Sequence, residues 1–200
     1  AYVLKKLDGR DALYRISLDG SLQTDLVFAS KEVDVAGVVA VGRGGRVIGA
    51  SYSTDRPQVE YFDPEYRAVA RQLAQALPKL PIIQFAGASA DEQTLLIYAA
   101  SDVDPGRIFV FDRAKKTLVE AINLRPDLKG RTLSPRRPIT YPAADGTKIP
   151  GYLTLPPGVT DPKGLPAIVM PHGGPSARDD WGFDWLSQFY AQRGFVVLQP

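Results

Sequence analysis

The chain contains no cysteine, one histidine and one methionine in 200 residues. Disulfides and thiolate metal sites are therefore excluded, and so is a zinc site built from several histidines. Net charge is almost missing as well. With 24 basic against 22 acidic side chains the balance is +2, too even for the electrostatic footprint of a nucleic-acid binder. No uninterrupted apolar run approaches the ~18 residues needed to cross a bilayer. No basic-then-apolar leader is present. Ala1 runs straight into strand-like sequence, and without an initiator methionine this says nothing about the natural N-terminus. The last absence concerns chemistry: no serine sits in a G-x-S-x-G, the elbow that presents the nucleophile of an α/β-hydrolase.

What is present is ordinary soluble globular composition, 44% hydrophobic and 23% charged. The first ~135 residues read as short strands divided by turn signals, the spacing of repeated antiparallel sheets. Ala12 to Leu18 alternates and stops at Asp19-Gly20, a hairpin dipeptide, and Leu26 to Ala29 follows. Val38 to Val41 and Arg46 to Tyr52 flank Gly42-Arg43-Gly44-Gly45, and Val59 to Phe62 comes next. Those glycines lack the full G-x-G-x-x-G spacing and precede a strand, so they predict a hairpin turn rather than a phosphate loop. Thr94 to Ala100, Arg107 to Asp112 and Thr117 to Ile122 are three more strands, joined by Asp104-Pro105-Gly106 and by Arg113 to Lys116. Four short strands per ~40–45 residues is the pattern of a propeller blade. In the absence of a strict internal repeat, a sandwich fits the bare pattern as well.

One helix interrupts the strands. Tyr66, Val69, Ala70, Leu73 and Leu77 share a face, Asp63-Pro64 supplies an N-cap and a first-turn proline, and Pro78 ends the segment. Composition then changes: 11 of the 17 prolines lie between Pro126 and Pro175. Proline removes ladder donors and favours extended connections, which places a domain boundary near Pro135 to Pro138. The expected division is residues 1–135 and 136–200. In the second part Pro138 to Tyr141 and Ile149 to Leu155 flank Asp145-Gly146 as a hairpin. The apolar run Ala167 to Met170 and the apolar Phe195 to Leu198 read as strands covered on both faces. Between them a helix is expected to carry Trp181, Trp185, Leu186, Phe189 and Tyr190, with Asp179 and Asp180 as N-cap candidates, Arg193 in its last turn and Gly194 as C-cap.

The chemistry resides in His172-Gly173-Gly174-Pro175, at the end of the Ala167 to Met170 strand. A tetrahedral intermediate concentrates negative charge on one oxygen, and backbone N–H donors held ~2.7–3.1 Å from it stabilise that charge. Glycines allow the unusual dihedrals and clear side chains from the approach. A simple glycine turn between strand and helix is the competing reading. His172 is the only histidine, yet in α/β-hydrolases the order is serine, acid, histidine, so a base should follow the nucleophile; His172 is read as bracing the loop. Ser176 has no neighbouring base and is not read as a nucleophile. Arg178 is expected to pair with Asp179 and Asp180 or with another domain, the sequence not deciding which.

Leu165 to Gly182 (LPAIVMPHGGPSARDDWG), continuing to Gln199, resembles the start of the catalytic domain in the prolyl oligopeptidase family of serine peptidases, in its acylaminoacyl-peptidase and dipeptidyl-peptidase-like branch. Asp145-Gly146 through Leu153, with Leu155-Pro156, resembles the family's entry into that domain, and Ser101 to Gly106 a segment near the end of its propeller. The resemblance implies two parts: all-β propeller blades, then the start of an α/β-hydrolase fold with a mixed, mainly parallel sheet and helices. It implies that the Gly174 N–H is one oxyanion donor with Gly173 shaping the loop, that the serine, aspartate and histidine lie beyond Pro200, and that the 200 residues alone are inactive. No cofactor and no metal are implied. The implied partners are a short peptide substrate, the remainder of the catalytic domain, and a further copy of the chain at the sheet edge that the last strand would leave unpaired; nucleic acid and membrane are not among them. A soluble protein of cytoplasm or periplasm is expected. Two rivals stay open, an esterase-type α/β-hydrolase and a non-enzymatic propeller binding module.

Overall fold

Apolar residues on alternate positions, punctuated by glycine and proline, divide the first two thirds of the chain into three antiparallel sheets. The computed structural model describes residues 1–174 and 177–200. Strands β1 (Tyr2–Leu7), β2 (Arg10–Ile16) and β3 (Thr24–Phe28) form the first sheet, and β4 (Val35–Val41), β5 (Arg46–Ser53) and β6 (Pro57–Tyr61) the second. The third is a four-stranded meander of β7 (Ile82–Ala88), β8 (Thr94–Ala100), β9 (Arg107–Asp112) and β10 (Thr117–Asn123). The glycines 42–45 make the β4–β5 hairpin turn, closed by Gly45 N–H to the Gly42 carbonyl at 3.2 Å. Strand β7 has no counterpart in the sequence reading. Its Ala86, Gly87 and Ala88 carry little strand preference of their own, and the ladder to β8 supplies what propensity does not.

Each sheet packs on the next. Leu13, Val35 and Ala50 close a small core between the first and second sheets. A larger core joins the second and third around helix α1 (Pro64–Ala76), with Ile48, Tyr66, Leu73, Phe85, Leu95 and Ile97 among its buried members. Three sheets in succession are not the two facing layers of a sandwich. Helix α1 starts as its sequence dictates: the Asp63 carboxylate accepts the Glu65 and Tyr66 N–H groups at 2.9 and 3.1 Å, and Pro64 occupies the first turn.

A charged network ties this helix to both sheets. Arg46 of β5 donates to Asp63 at 2.5 Å and to Glu92 at 2.6 Å, while the Tyr66 hydroxyl donates to Glu92 at 3.0 Å. Burial, then the bond to Glu92, pushes the Tyr66 phenol up to about 12. The Arg46 guanidinium, aided by that hydroxyl, holds the Glu92 carboxyl below its usual 4.5. A carboxyl depressed in the folded state stabilises the fold above its unfolded pKa and loses that contribution as pH falls through the lower folded value. Glu92→Gln is therefore expected to be less stable than the parent at neutral pH, with the difference shrinking as the pH drops below 4.5. Urea unfolding of both proteins at neutral and acid pH checks this; a gap that does not change with pH refutes it.

Beyond a short 3-10 turn (Pro126–Leu128), β11 (Arg136–Pro142) and β12 (Lys148–Thr154) form the expected hairpin. With β13 (Ala167–Val169) and β14 (Val196–Gln199) they build a fourth sheet in the order β11-β12-β14-β13. The sheet is mixed as expected but, among the described residues, not mainly parallel: β13 and β14 run parallel, and the other two pairings are antiparallel. Strand β14 is interior, between β12 and β13, which corrects the expectation that the last strand is an unpaired edge; the edges are β11 and β13. Its register, Tyr152 opposite Gln199 and Ile168 opposite Val197, shields it on both sides.

Helix α2 (Trp185–Ala191) connects β13 to β14 and departs from expectation at both ends. Its N-cap is Asp184, whose carboxylate accepts the Ser187 N–H at 2.6 Å, not Asp179 or Asp180. Trp181 consequently lies before the helix. The C-cap is Gln192, and Gly194 takes a left-handed φ of +91° past the end. The buried face is also different: Ser187, Gln188 and Ala191 point inward, while Trp185 is 65% and Phe189 41% exposed. Gln188 explains the inversion. Its amide accepts from Ser134 N–H at 2.9 Å and donates to the Ser134 carbonyl at 2.6 Å, holding the linker as a neighbouring strand would. Among the described residues no helix is long and apolar enough to cross a membrane.

Candidate functional site

The loop that follows β13 begins where Met170 N–H bonds the Leu198 carbonyl at 2.8 Å, the last tie to the sheet. His172 Nδ1 lies 2.9 Å from the carbonyl of Gly173. Gly174 has a φ of +127°, a region that side chains with a Cβ rarely adopt, whereas Gly173 does not. Among the described residues, no hydrogen bond engages the N–H of Gly173 or Gly174 with a main-chain carbonyl. Pro175 and Ser176 lie outside the described residues, and with them the reading of Ser176.

The loop flanks a cleft of about 650 Å³. On one wall stand His172, Ala177, Arg178 and Asp179; on the other, Thr54 and Asp55 from the turn after β5, with Glu32 and Val33 beyond. Strands β11 and β12 and the end of β14 form the floor. Two arginines organise this region. Arg136, only 5% exposed, stacks over the Tyr152 ring at 4.5 Å and donates to the Asp180 carbonyl at 2.6 Å. Its own carbonyl accepts the Trp181 indole N–H at 2.7 Å, and its N–H donates to the Asp102 carboxylate at 2.8 Å. Asp179, which sequence reading offered as a helix cap, instead lies 3.7 Å from the Arg136 guanidinium and accepts from the Gln199 amide at 3.2 Å.

Arg178 meets its near neighbours, with Nε donating to the Asp179 carbonyl at 3.4 Å, and also reaches another sheet. It donates to the carbonyls of Ser53 and Thr54 at 3.1 and 2.5 Å, with the Asp180 carboxylate a distant 3.9 Å away. Sequence reasoning missed Arg136 and Tyr152 as parts of this region. The signal for Arg136 was there, an arginine doublet set between prolines at the linker's end, but it reads equally as solvated charge. The alternation of Gly151, Tyr152, Leu153 and Thr154 marks a strand and says nothing of which loop the tyrosine meets. The described residues contain no group of three His, Asp or Glu side chains placed to hold a metal ion.

No family model matches the chain. It is 31% identical over 199 residues to dipeptidyl aminopeptidase BIII of Pseudoxanthomonas mexicana, covering 94% of this chain and 28% of that protein. It is 33% identical over 131 residues to dipeptidyl peptidase family member 6 of Caenorhabditis elegans, covering 56% of this chain and 18% of that protein. In fold it is similar to a puromycin-hydrolyzing peptidase of Mycobacterium tuberculosis, with a TM-score of 0.66 at 20% identity over 99% of this chain and 31% of that one. The chain thus spans under a third of the length of these relatives. Across nearly its whole length the chain is thus similar in sequence to a dipeptidyl aminopeptidase and in fold to a peptidase, as its resemblance to the prolyl oligopeptidase family implies.

Proposed function

We propose that these residues form part of a serine-type peptidase acting on short peptides, and that their contribution is the oxyanion-hole loop. In this reading residues 1–135 are propeller blades and residues 136–200 open an α/β-hydrolase domain. The Gly174 N–H is one donor to the carbonyl oxygen of the scissile bond. Gly173 leaves the approach clear, and His172 braces the loop through the Gly173 carbonyl. The second donor is the N–H of the residue after the nucleophile, and the serine, aspartate and histidine lie beyond position 200. The substrate carbonyl enters the cleft between the loop and the turn after β5.

One observation carries this reading. A parallel strand–loop–helix–strand unit, β13 to β14, ends its first strand in a loop with Gly174 at positive φ, beside the cleft. Backbone donors of that kind act where charge develops in the transition state, in a site that costs no reorganisation during the reaction. Without the triad, residues 1–200 have no means of forming the acyl intermediate.

The test is covalent labelling of the natural full-length polypeptide with a fluorophosphonate probe, paired with hydrolysis assays. Labelling together with cleavage of aminoacyl-nitroanilides is the expected result, and residues 1–200 alone are expected to remain unlabelled. Turnover of acyl-nitrophenyl esters without any peptide-amide cleavage would identify the esterase instead. No labelling at all would leave a binding module.

A further inference from the structure

A glycine loop has little of its own to hold it. Gly173 and Gly174 carry no side chains, and among the described residues their N–H groups have no main-chain partner. The fixed points are Met170, tied to β14 before the loop, and the segment 178–181 after it. Arg136 grips that segment from below through the Asp180 carbonyl. Arg178 grips it from the side and reaches another sheet. Its Nη1 and Nη2 donate to the carbonyls of Ser53 and Thr54, at the end of β5. The Tyr152 hydroxyl, 3.5 Å from Nη2, donates to the next carbonyl, that of Asp55, at 3.0 Å. Three consecutive carbonyls of one turn thus each accept a bond from across the cleft, two from Arg178 on the facing wall and one from Tyr152 in the floor.

A planar guanidinium suits this task because its fork meets two adjacent acceptors at once, whereas an ammonium is a single point donor. The chemistry places a demand on the same loop. Displacing a reacting group by ~1 Å can cost about 100-fold in rate.

We propose that Arg178 is a positioning residue: by fastening the chain just past Gly174 to the Ser53–Asp55 turn, it keeps the loop amides aimed at the substrate carbonyl. This rests on the peptidase reading above. Arg178 acts through the loop and not on the substrate, so its loss falls on kcat and spares KM.

The experiment uses the full-length polypeptide, with steady-state kinetics on a peptidyl-nitroanilide for the parent, Arg178→Ala and Arg178→Lys. Arg178→Ala is expected to lower kcat by about 10- to 100-fold with KM little changed. Arg178→Lys should fall between the two, and added ethylguanidinium should restore part of the kcat of Arg178→Ala. A raised KM at unchanged kcat, or no change in either, overturns the proposal. So does a lost kcat that neither lysine nor ethylguanidinium improves, since that is the mark of general damage. Should Arg178→Ala fail to fold by circular dichroism, Arg178→Lys decides alone, and a parental kcat in it overturns the proposal. If the parent itself is neither labelled by fluorophosphonate nor active on peptides, the peptidase reading fails and this role fails with it. A labelled, active parent with unaffected variants removes the role of Arg178 only.

Discussion

Tyr66→Ala is expected to lower the unfolding free energy of this chain by about 4 kcal/mol, the range of a large aromatic removed from a core. Tyr66 is 0% exposed, at the centre of the core that joins the second and third sheets. Its ring meets Phe85 edge to face at 4.9 Å, and the guanidinium carbons of Arg46 and Arg113 lie 5.5 and 5.3 Å from its centroid. Truncation loses that burial and opens a cavity in the core shared by α1 and the two sheets. It also strips Glu92 of one of its donors. Tyr66→Phe keeps the ring and loses only the hydroxyl bond, so it should cost about 1 kcal/mol. Urea unfolding followed by circular dichroism measures both. Equal losses in the two variants would mean that the hydroxyl, not the packing, governs this core.

Gly174→Ala, in the full-length polypeptide, is expected to lower kcat on peptide substrates by roughly 100- to 1,000-fold, as removal of one oxyanion donor does. The cause is conformational. At a φ of +127° a Cβ is strained, at about 1–3 kcal/mol. The loop relieves that strain by rotating its peptide, which turns the N–H away from the substrate oxygen. Gly173→Ala supplies the contrast. Its φ is not positive, and among the described residues a Cβ built there meets no atom within 4 Å. It should leave kcat nearly intact and affect substrate entry at most. Comparable losses at the two positions would show that the loop needs only open space, and would remove Gly174 from its assigned role.

How much of this was legible beforehand can be judged residue by residue. The Asp63-Pro64 start of α1, the face of Tyr66, Val69 and Leu73, and the β8 and β9 boundaries follow from local rules: capping, helical spacing and alternation. The end of β13 and the glycines after it were visible for the same reason. Strand β7 was not: Ile82, Ile83 and Phe85 favour a strand, but Ala86, Gly87 and Ala88 do not, and the pairing with β8 carries that half. The cap of α2 was misassigned since Asp179, Asp180 and Asp184 are equal candidates by type. Only the Arg136 and Gln199 contacts occupy Asp179 and leave Asp184 free to receive the Ser187 N–H.

The inverted face of α2 and the reach of Arg178 belong to the same class. Trp185 and Phe189 read as core by hydropathy, yet the linker at Ser134 needs its main-chain groups satisfied, and a glutamine meets that need where an aromatic ring does not. Alone, then, the order of residues determined the succession of strands and helices, the family likeness and the place of the glycine loop, because each depends on neighbours a few positions apart. The tertiary structure decided which loop faces which across the cleft. Arg178 meets Ser53 and Thr54 from more than a hundred positions away, and no local rule carries that far.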